Sequence, residues 1–338
     1  MKKGILMALC VAVIGIQGVQ AGGSGEGSSK AANDDYVIKI GIGISAGLCS
    51  APFRIAEAKG FYAEEGLKFE EVKIDTNQAA QLLTTGQIDV TNMLLATTIV
   101  PLANGLDVKI PLGIHTGCVK ILVPPKSNVK KPADLKGKKI GVPGMNTSGA
   151  LIAQRYLASA GINVSAEKGE VEWLIYPATE LALALQRGQV DAIAINDPTA
   201  LIVEKNGIGV PIADTGKDNE MMNEFCCVVV AGTNVADKHI AALAKLTRAI
   251  QKASNWVHEN PVETAQILEQ TKYVPGDAAT NAESLAAYDY RASVSEARVA
   301  ITRNFKDMQA IGLVDKSVNV DKIAANTFLA LPGVPDHL

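Results

Sequence analysis

Residues 39–60 read KIGIGISAGLCSAPFRIAEAKG, and 100 positions later residues 139–161 read KIGVPGMNTSGALIAQRYLASAG. Each copy runs from a β-branched strand through a loop of Gly, Ser and Thr into an amphipathic helix. A helix entered through such a loop aims unpaired backbone N–H groups, and the positive end of its dipole, at whatever lies in front. The second half of the unit repeats as well. Gly86-Gln87-Ile88-Asp89-Val90 matches Gly188-Gln189-Val190-Asp191-Ala192, and the same offset pairs Thr97 with Thr199, Gly105 with Gly207 and Val108 with Val210. The repeat predicts two similar α/β lobes, each presenting a loop to a shared cleft.

The composition agrees with a globular chain. Its 338 residues are 48% hydrophobic and 20% charged, enough for one large core or two ordinary ones. A net charge of −3 without a basic run argues against nucleic acid, and 4% aromatics supply little for an aromatic box. Residues 1–21 carry Lys2 and Lys3, an apolar run from Ile5 to Ile16, and the small residues Val19 and Ala21, so we expect a cleaved secretory signal. The run is shorter than the roughly 20 residues a membrane span needs. Cys10 lies inside it, too early for a lipoprotein signal, so a lipid anchor is the less favoured reading. Residues 22–35 read as a flexible tether, and the mature chain is expected outside the cytoplasm, soluble and monomeric.

Along the chain, strands are expected at 34–44, 68–74, 88–91, 108–114 and 119–123, with helices at 51–59, 78–85 and 96–104. The second copy runs to about 214, ending after a helix at 199–205. The apolar stretch 225–230, FCCVVV, reads as a strand able to return the chain to the first lobe. Helices at 240–258, 261–270, 295–311 and 321–329 form a tail expected to pack on that lobe. The domain reading is therefore lobe 1 at 36–115 and 231–338, and lobe 2 at 116–230. Two crossings between lobes imply a hinge.

Several runs together resemble the extracytoplasmic substrate-binding proteins of ABC importers, in the NMT1/THI5-like group that includes nitrate, sulfonate, taurine and thiamine-pyrimidine binders. They are Ala51-Pro52 with residues 56–67, AEAKGFYAEEGL, then Gly86-Gln87-Ile88-Asp89, residues 132–142, PADLKGKKIGV, and Gly188-Gln189-Val190-Asp191-Ala192. The likeness covers most of residues 36–260 and thins in the tail. It implies α/β architecture with two Rossmann-like lobes joined by two crossover strands, the type II periplasmic binding protein fold. It also implies a small-molecule ligand handed to an ABC permease.

Ligands of open α/β sheets sit beyond the carboxyl ends of the strands. Those ends carry Ser45, Gly47 and Cys49; Asn92; Asn146, Thr147 and Ser148; and Asn196 with Asp197. Thr147 and Ser148 can hold an oxyanion at a helix start or simply cap that helix. Asn196 and Asp197 can face the cleft or cap the next helix. Glu224, beside the return strand, can meet a ligand amine or a hinge residue. His115 and Thr116 flank the first crossing.

Four cysteines follow the signal, and Cys49, Cys118, Cys226 and Cys227 all fall where the lobe reading puts the cleft. Three readings stand: a disulfide from Cys118 to Cys226 or Cys227, inert packing, or thiols that with His115 meet a thiophilic metal or metal complex. The spacings match no metal motif, so no metal or cofactor is expected from them. The stretch Glu224-Phe225-Cys226-Cys227 also resembles the Cys-rich run of the pyrimidine synthases of this superfamily, though with two adjacent cysteines in place of a longer run. An enzyme of that type is the rival to a binder. No triad, zinc motif or P-loop is present, and Gly41-Ile42-Gly43 lacks the third glycine of a dinucleotide fingerprint. The sequence favours a binder of an organic anion, such as a sulfonate or carboxylate, or of a pyrimidine-like ring.

Overall fold

Each copy of the repeat folds as a parallel strand–helix–strand unit, and the two units build two sheets of five strands. The computed structural model describes residues 35–44, 47–165, 168–218, 224–274 and 276–338. The expected signal, most of the tether and Ser45 lie outside them. In chain order the strands are β1 (Val37–Gly43), β2 (Lys68–Ile74), β3 (Val90–Leu94), β4 (Val108–Thr116), β5 (Val119–Val123), β6 (Lys139–Val142), β7 (Glu172–Ile175), β8 (Ala192–Asn196), β9 (Val210–Asp214) and β10 (Phe225–Gly232). The first sheet has the order β2-β1-β3-β10-β4 and the second β7-β6-β8-β5-β9. In both, three parallel strands are followed by an antiparallel fourth, and that fourth strand is the one that has just crossed from the other half.

The repeated Gly-Gln-x-Asp motif has a structural cause. Asp89 Oδ2 accepts from the Lys39 amide at 2.8 Å, and Asp191 Oδ2 accepts from the Lys139 amide at 2.9 Å. Each aspartate also donates its own amide to the same lysine's carbonyl at 2.8 Å. One side chain thus closes the start of a parallel pair where the ladder leaves an amide unmet. Gly86 and Gly188, with φ of 69° and 68°, end the short helices Ala79–Thr84 and Leu181–Gln186 in the left-handed conformation.

β5 is buried along its whole length and β10 at all but one residue, because each is sandwiched between neighbours and covered on both faces. β2 alternates because it is an edge. One continuous core joins residues of both sheets, and a smaller cluster of Leu122, Leu181, Leu185, Ile193 and Val203 lies on the second sheet alone. The tail packs on the first sheet: Leu329 donates to Ile110 O, Gly113 pairs with Ser293, and the helix Ile240–Glu259 lies on Ala51–Ala58.

The boundary expected at 230 falls inside β10. From Phe225 onward this strand is hydrogen-bonded into the first sheet, with Cys227 opposite Leu94 on one side and His115 on the other. Short helices at Phe61–Glu64, Thr233–Lys238 and Ala278–Ala286 were not anticipated. Among the described residues no helix is long and apolar enough to cross a membrane.

Candidate functional site

The carboxyl end of β3 and the start of the helix Ser148–Ser159 come together beside the crossover segments. Between them is a narrow slot with about 20 Å³ of room for a water-sized body, so a larger ligand enters only as its walls move apart. Leu94 and Ala96 line it from the first lobe, Ser148 and Ile152 from the second, and Gly117, Thr215, Phe225 and Cys226 from the crossings. Matching contacts brace the two sides. Ser50 Oγ donates to Asn92 Oδ1 at 3.0 Å, and Ser148 Oγ donates to Asn196 Oδ1 at 2.8 Å. Each serine at a helix start is thereby tied to the central strand beside it.

The helix Ser148–Ser159 presses hard on β8. A Cβ on Gly149 would sit 2.3 Å from the Ala194 carbonyl oxygen, so only glycine permits the approach. Thr147 is the N-cap, its Oγ1 accepting from the Ala150 amide at 3.5 Å and donating to Gly144 O at 2.7 Å. Ser148, in the first turn, lines the cleft, while Asn146 is exposed and Gly47 precedes the 3-10 turn Leu48–Ser50.

Several expected residues are engaged elsewhere. Asp197 accepts from the Leu201 amide at 2.9 Å, serving the helix Thr199–Lys205, and lies 3.5 Å from Lys120 Nζ. Burial pushes its carboxyl up, Lys120 and the Leu201 amide pull it back, and it settles at about 6. Glu224 is held by a bidentate pair from Arg155 at 2.6 and 2.7 Å, with Asn304 Nδ2 donating to the same carboxylate. Arg155 also reaches Asp307 at 2.5 Å. One buried guanidinium on a second-lobe helix therefore joins the return crossing to the tail helix Ser295–Ala310. Thr116 is buried and donates its amide to Asp289 O at 2.9 Å.

The first crossing is tight. Gly117 has φ of 75° and Cys118 a φ of 146°, a region that costs a residue with a Cβ about 1–3 kcal/mol. Thr215 Oγ1 accepts from the Cys118 and Val119 amides, both at 3.0 Å, and holds the turn. Among the described residues no S–S bond joins Cys49, Cys118, Cys226 or Cys227, but Cys118 Sγ and Cys226 Sγ stand in close contact at 2.6 Å. Hydrogen bonds from Cys118 and Cys227 lower Cys49 and Cys226, the latter to about 5, while the donors go up. Burial drives His115 down, but the thiolates of Cys49 and Cys226 outweigh it and bring it to about 9.

Arg155, Asn304, Thr215, Tyr288 and Tyr290 went unnoticed in the sequence. The first two sit on ordinary amphipathic helices and carry no local mark. The alternation in Tyr288-Asp289-Tyr290 was a signal, since it puts both rings on one side; they pack against His115 with centroids 5.3 and 4.9 Å away.

Comparison with known proteins agrees with this geometry. The periplasmic aliphatic sulphonate binding protein SsuA of Escherichia coli superposes with a TM-score of 0.69 at 20% identity, covering 87% of this chain and 92% of that one. The periplasmic nitrate-binding protein NrtA of Synechocystis PCC 6803 does so at 0.66 and 17% identity, covering 86% and 85%. A Haemophilus influenzae protein named provisionally for thiamine biosynthesis is 27% identical over 251 residues, 70% of this chain and 73% of that one. The two structures share the periplasmic binding protein fold with this chain. The family model described as NMT1/THI5 like matches residues 49–264, well over half of the sequence, and the chain belongs to that family.

Proposed function

We propose that this protein is an extracytoplasmic solute-binding protein that closes its two lobes over a small organic anion and delivers it to an ABC permease. The observation that carries the reading is the cleft itself, walled by Leu94 and Ala96 of one lobe and by Ser148 and Ile152 of the other, with both crossings at its floor. A ligand there touches both lobes only when they are closed, and that difference in contact shifts the population toward the closed form.

The chemistry of the lining supports the ligand class. Glu224, the charged residue of the lining, is neutralised by Arg155, so a ligand's charge would be met by dipoles rather than by an ion pair. The first-turn amides of Ser148–Ser159 suit a singly charged oxyanion, while the hydroxyls of Ser148 and Thr215 donate to Asn196 and to the Val119 carbonyl and reach a ligand only by turning away from them. Leu94, Ile152 and Phe225 suit an apolar body attached to it. An alkanesulfonate or carboxylate satisfies both. The named activities of the sulphonate and nitrate binders of this fold point the same way.

The test is calorimetric titration of the reduced chain, residues 22–338, with a panel of alkanesulfonates, short carboxylates, nitrate and an aminopyrimidine, followed by product analysis of each mixture. We expect one oxyanion bound one-to-one and recovered unchanged. Recovery of a transformed product, or binding of the pyrimidine alone, overturns the reading.

A further inference from the structure

Behind the cleft, three segments distant in sequence bring four thiols and one imidazole together. Cys49 comes from the 3-10 turn Leu48–Ser50, His115 from the end of β4, Cys118 from the first crossing, and Cys226 with Cys227 from the start of β10. One donor atom each of Cys49, His115 and Cys227 lie within 4.8 Å of one another. In a tetrahedral site with metal–sulfur bonds of about 2.3 Å, donors stand roughly 3.5–4 Å apart. A contraction of about 1 Å or less would close this set on an ion.

The imidazole is oriented for that task. His115 Nδ1 faces the Thr116 carbonyl at 3.2 Å, which holds a proton there, so Nε2 is the nitrogen that would give up its proton to an entering ion. Nε2 is buried with no nitrogen or oxygen partner, and its polar neighbour is the Cys49 thiol. Tyr288 stacks on the ring, and Tyr290 donates to Leu48 O at 2.8 Å, steadying the turn that carries Cys49. The backbone of Cys118 is held at positive φ with its sulfur against that of Cys226, so a further donor stands beside the set.

We propose that Cys49, Cys227 and His115, with Cys118 or Cys226 as fourth donor, form a site for one thiophilic d10 cation, Zn(II) or Cu(I). Two thiolates and an imidazole in a buried setting select such ions over oxygen-seeking Mg²⁺ or Ca²⁺. The ligands come from both crossings and from the first lobe, so a bound ion would clamp the hinge. The site uses different atoms from those proposed for the anion, apart from Cys226, and does not depend on that reading.

The test uses the full mature chain, reduced and desalted without oxygen, titrated separately with Zn(II) and with Cu(I) against a competing chelator, and with Co(II) as an optical probe. We expect one ion per chain by native mass spectrometry, four titratable thiols before loading, and Co(II) bands of thiolate charge transfer and four-coordination. Cys49→Ser, Cys227→Ser and His115→Gln should each weaken binding by roughly 100-fold or more. Thermal unfolding of each metal-free variant separates loss of a ligand from loss of the fold. If a variant fails to fold, wild-type melting decides: a rise in Tm that saturates at one equivalent supports the site. Absence of a stoichiometric ion on the reduced, folded chain overturns the proposal. So does an ion retained equally by Cys49→Ser and Cys227→Ser.

Discussion

Arg155 is the residue on which the hinge region most depends. Its guanidinium is almost wholly buried and serves Glu224, Asn304 and Asp307 at once. Replacing it by methionine leaves buried Glu224 with only the half-exposed Arg303, 3.6 Å away, as counter-charge, and costs up to about 3–5 kcal/mol. Adding Glu224→Gln to that variant should recover much of the loss, since the orphaned charge is gone. Urea unfolding of the single and double variants checks this; equal destabilisation in both would contradict it. Asp197 makes a pH prediction. Its folded carboxyl protonates at about 6, against about 4 in an unfolded chain. Between those values the folded state holds a proton that the unfolded state has released, so stability falls as pH rises through the window. Asp197→Asn should flatten that slope in melting curves from pH 4 to 7, and unchanged slopes would contradict the assignment. The capping of the next helix by Asp197 was among the readings the sequence allows, but its pairing with Lys120 and the place of Arg155 were not visible there. Partners such as Arg155 and Glu224 lie 69 positions apart, and only the fold brings them together.

At the scale of elements the sequence was far more readable, because strand, loop and helix are written in local patterning. The repeat placed β1, β3, β6 and β8 and the helices after them, and the Gly-Gln-x-Asp copies marked the same closure in both lobes. β7 is harder to read, since Glu172–Ile175 lies outside the repeated runs and holds too few residues to show a period. Ser148 lines the cleft and Thr147 takes the capping role that the loop-to-helix pattern left open, whereas their hydrogen bonds to Asn196 and Gly144 have no local signal. Gly149 looked like one more loop glycine, yet it sets how near its helix comes to β8. Gly149→Ala puts a methyl against the Ala194 carbonyl and should destabilise by about 1–3 kcal/mol while pushing the helix start out of place. A urea midpoint that does not move would show that the approach is looser than described.

The whole molecule is a pair of pseudo-equivalent sheets, each completed by a strand arriving from the other half. This exchange makes each crossing strand a member of the sheet it enters, with Gly117 before β5 and Glu224 before β10 where the chain passes from one sheet to the other. Burial of the Arg155 cluster and the tightness of the first crossing hold those segments in register. The tail helices thicken the first lobe and lend Asn304 and Asp307 to the hinge, a contribution no local signal announced. The central claim is that one ligand is shared by two lobes. A crystal structure of the chain with its tightest-binding oxyanion tests it most directly. The oxyanion is expected against the first-turn amides of Ser148–Ser159 and the remainder of the ligand against Leu94 and Ala96 across the cleft. A ligand held by one lobe alone, with the other lobe free of contact, would contradict it.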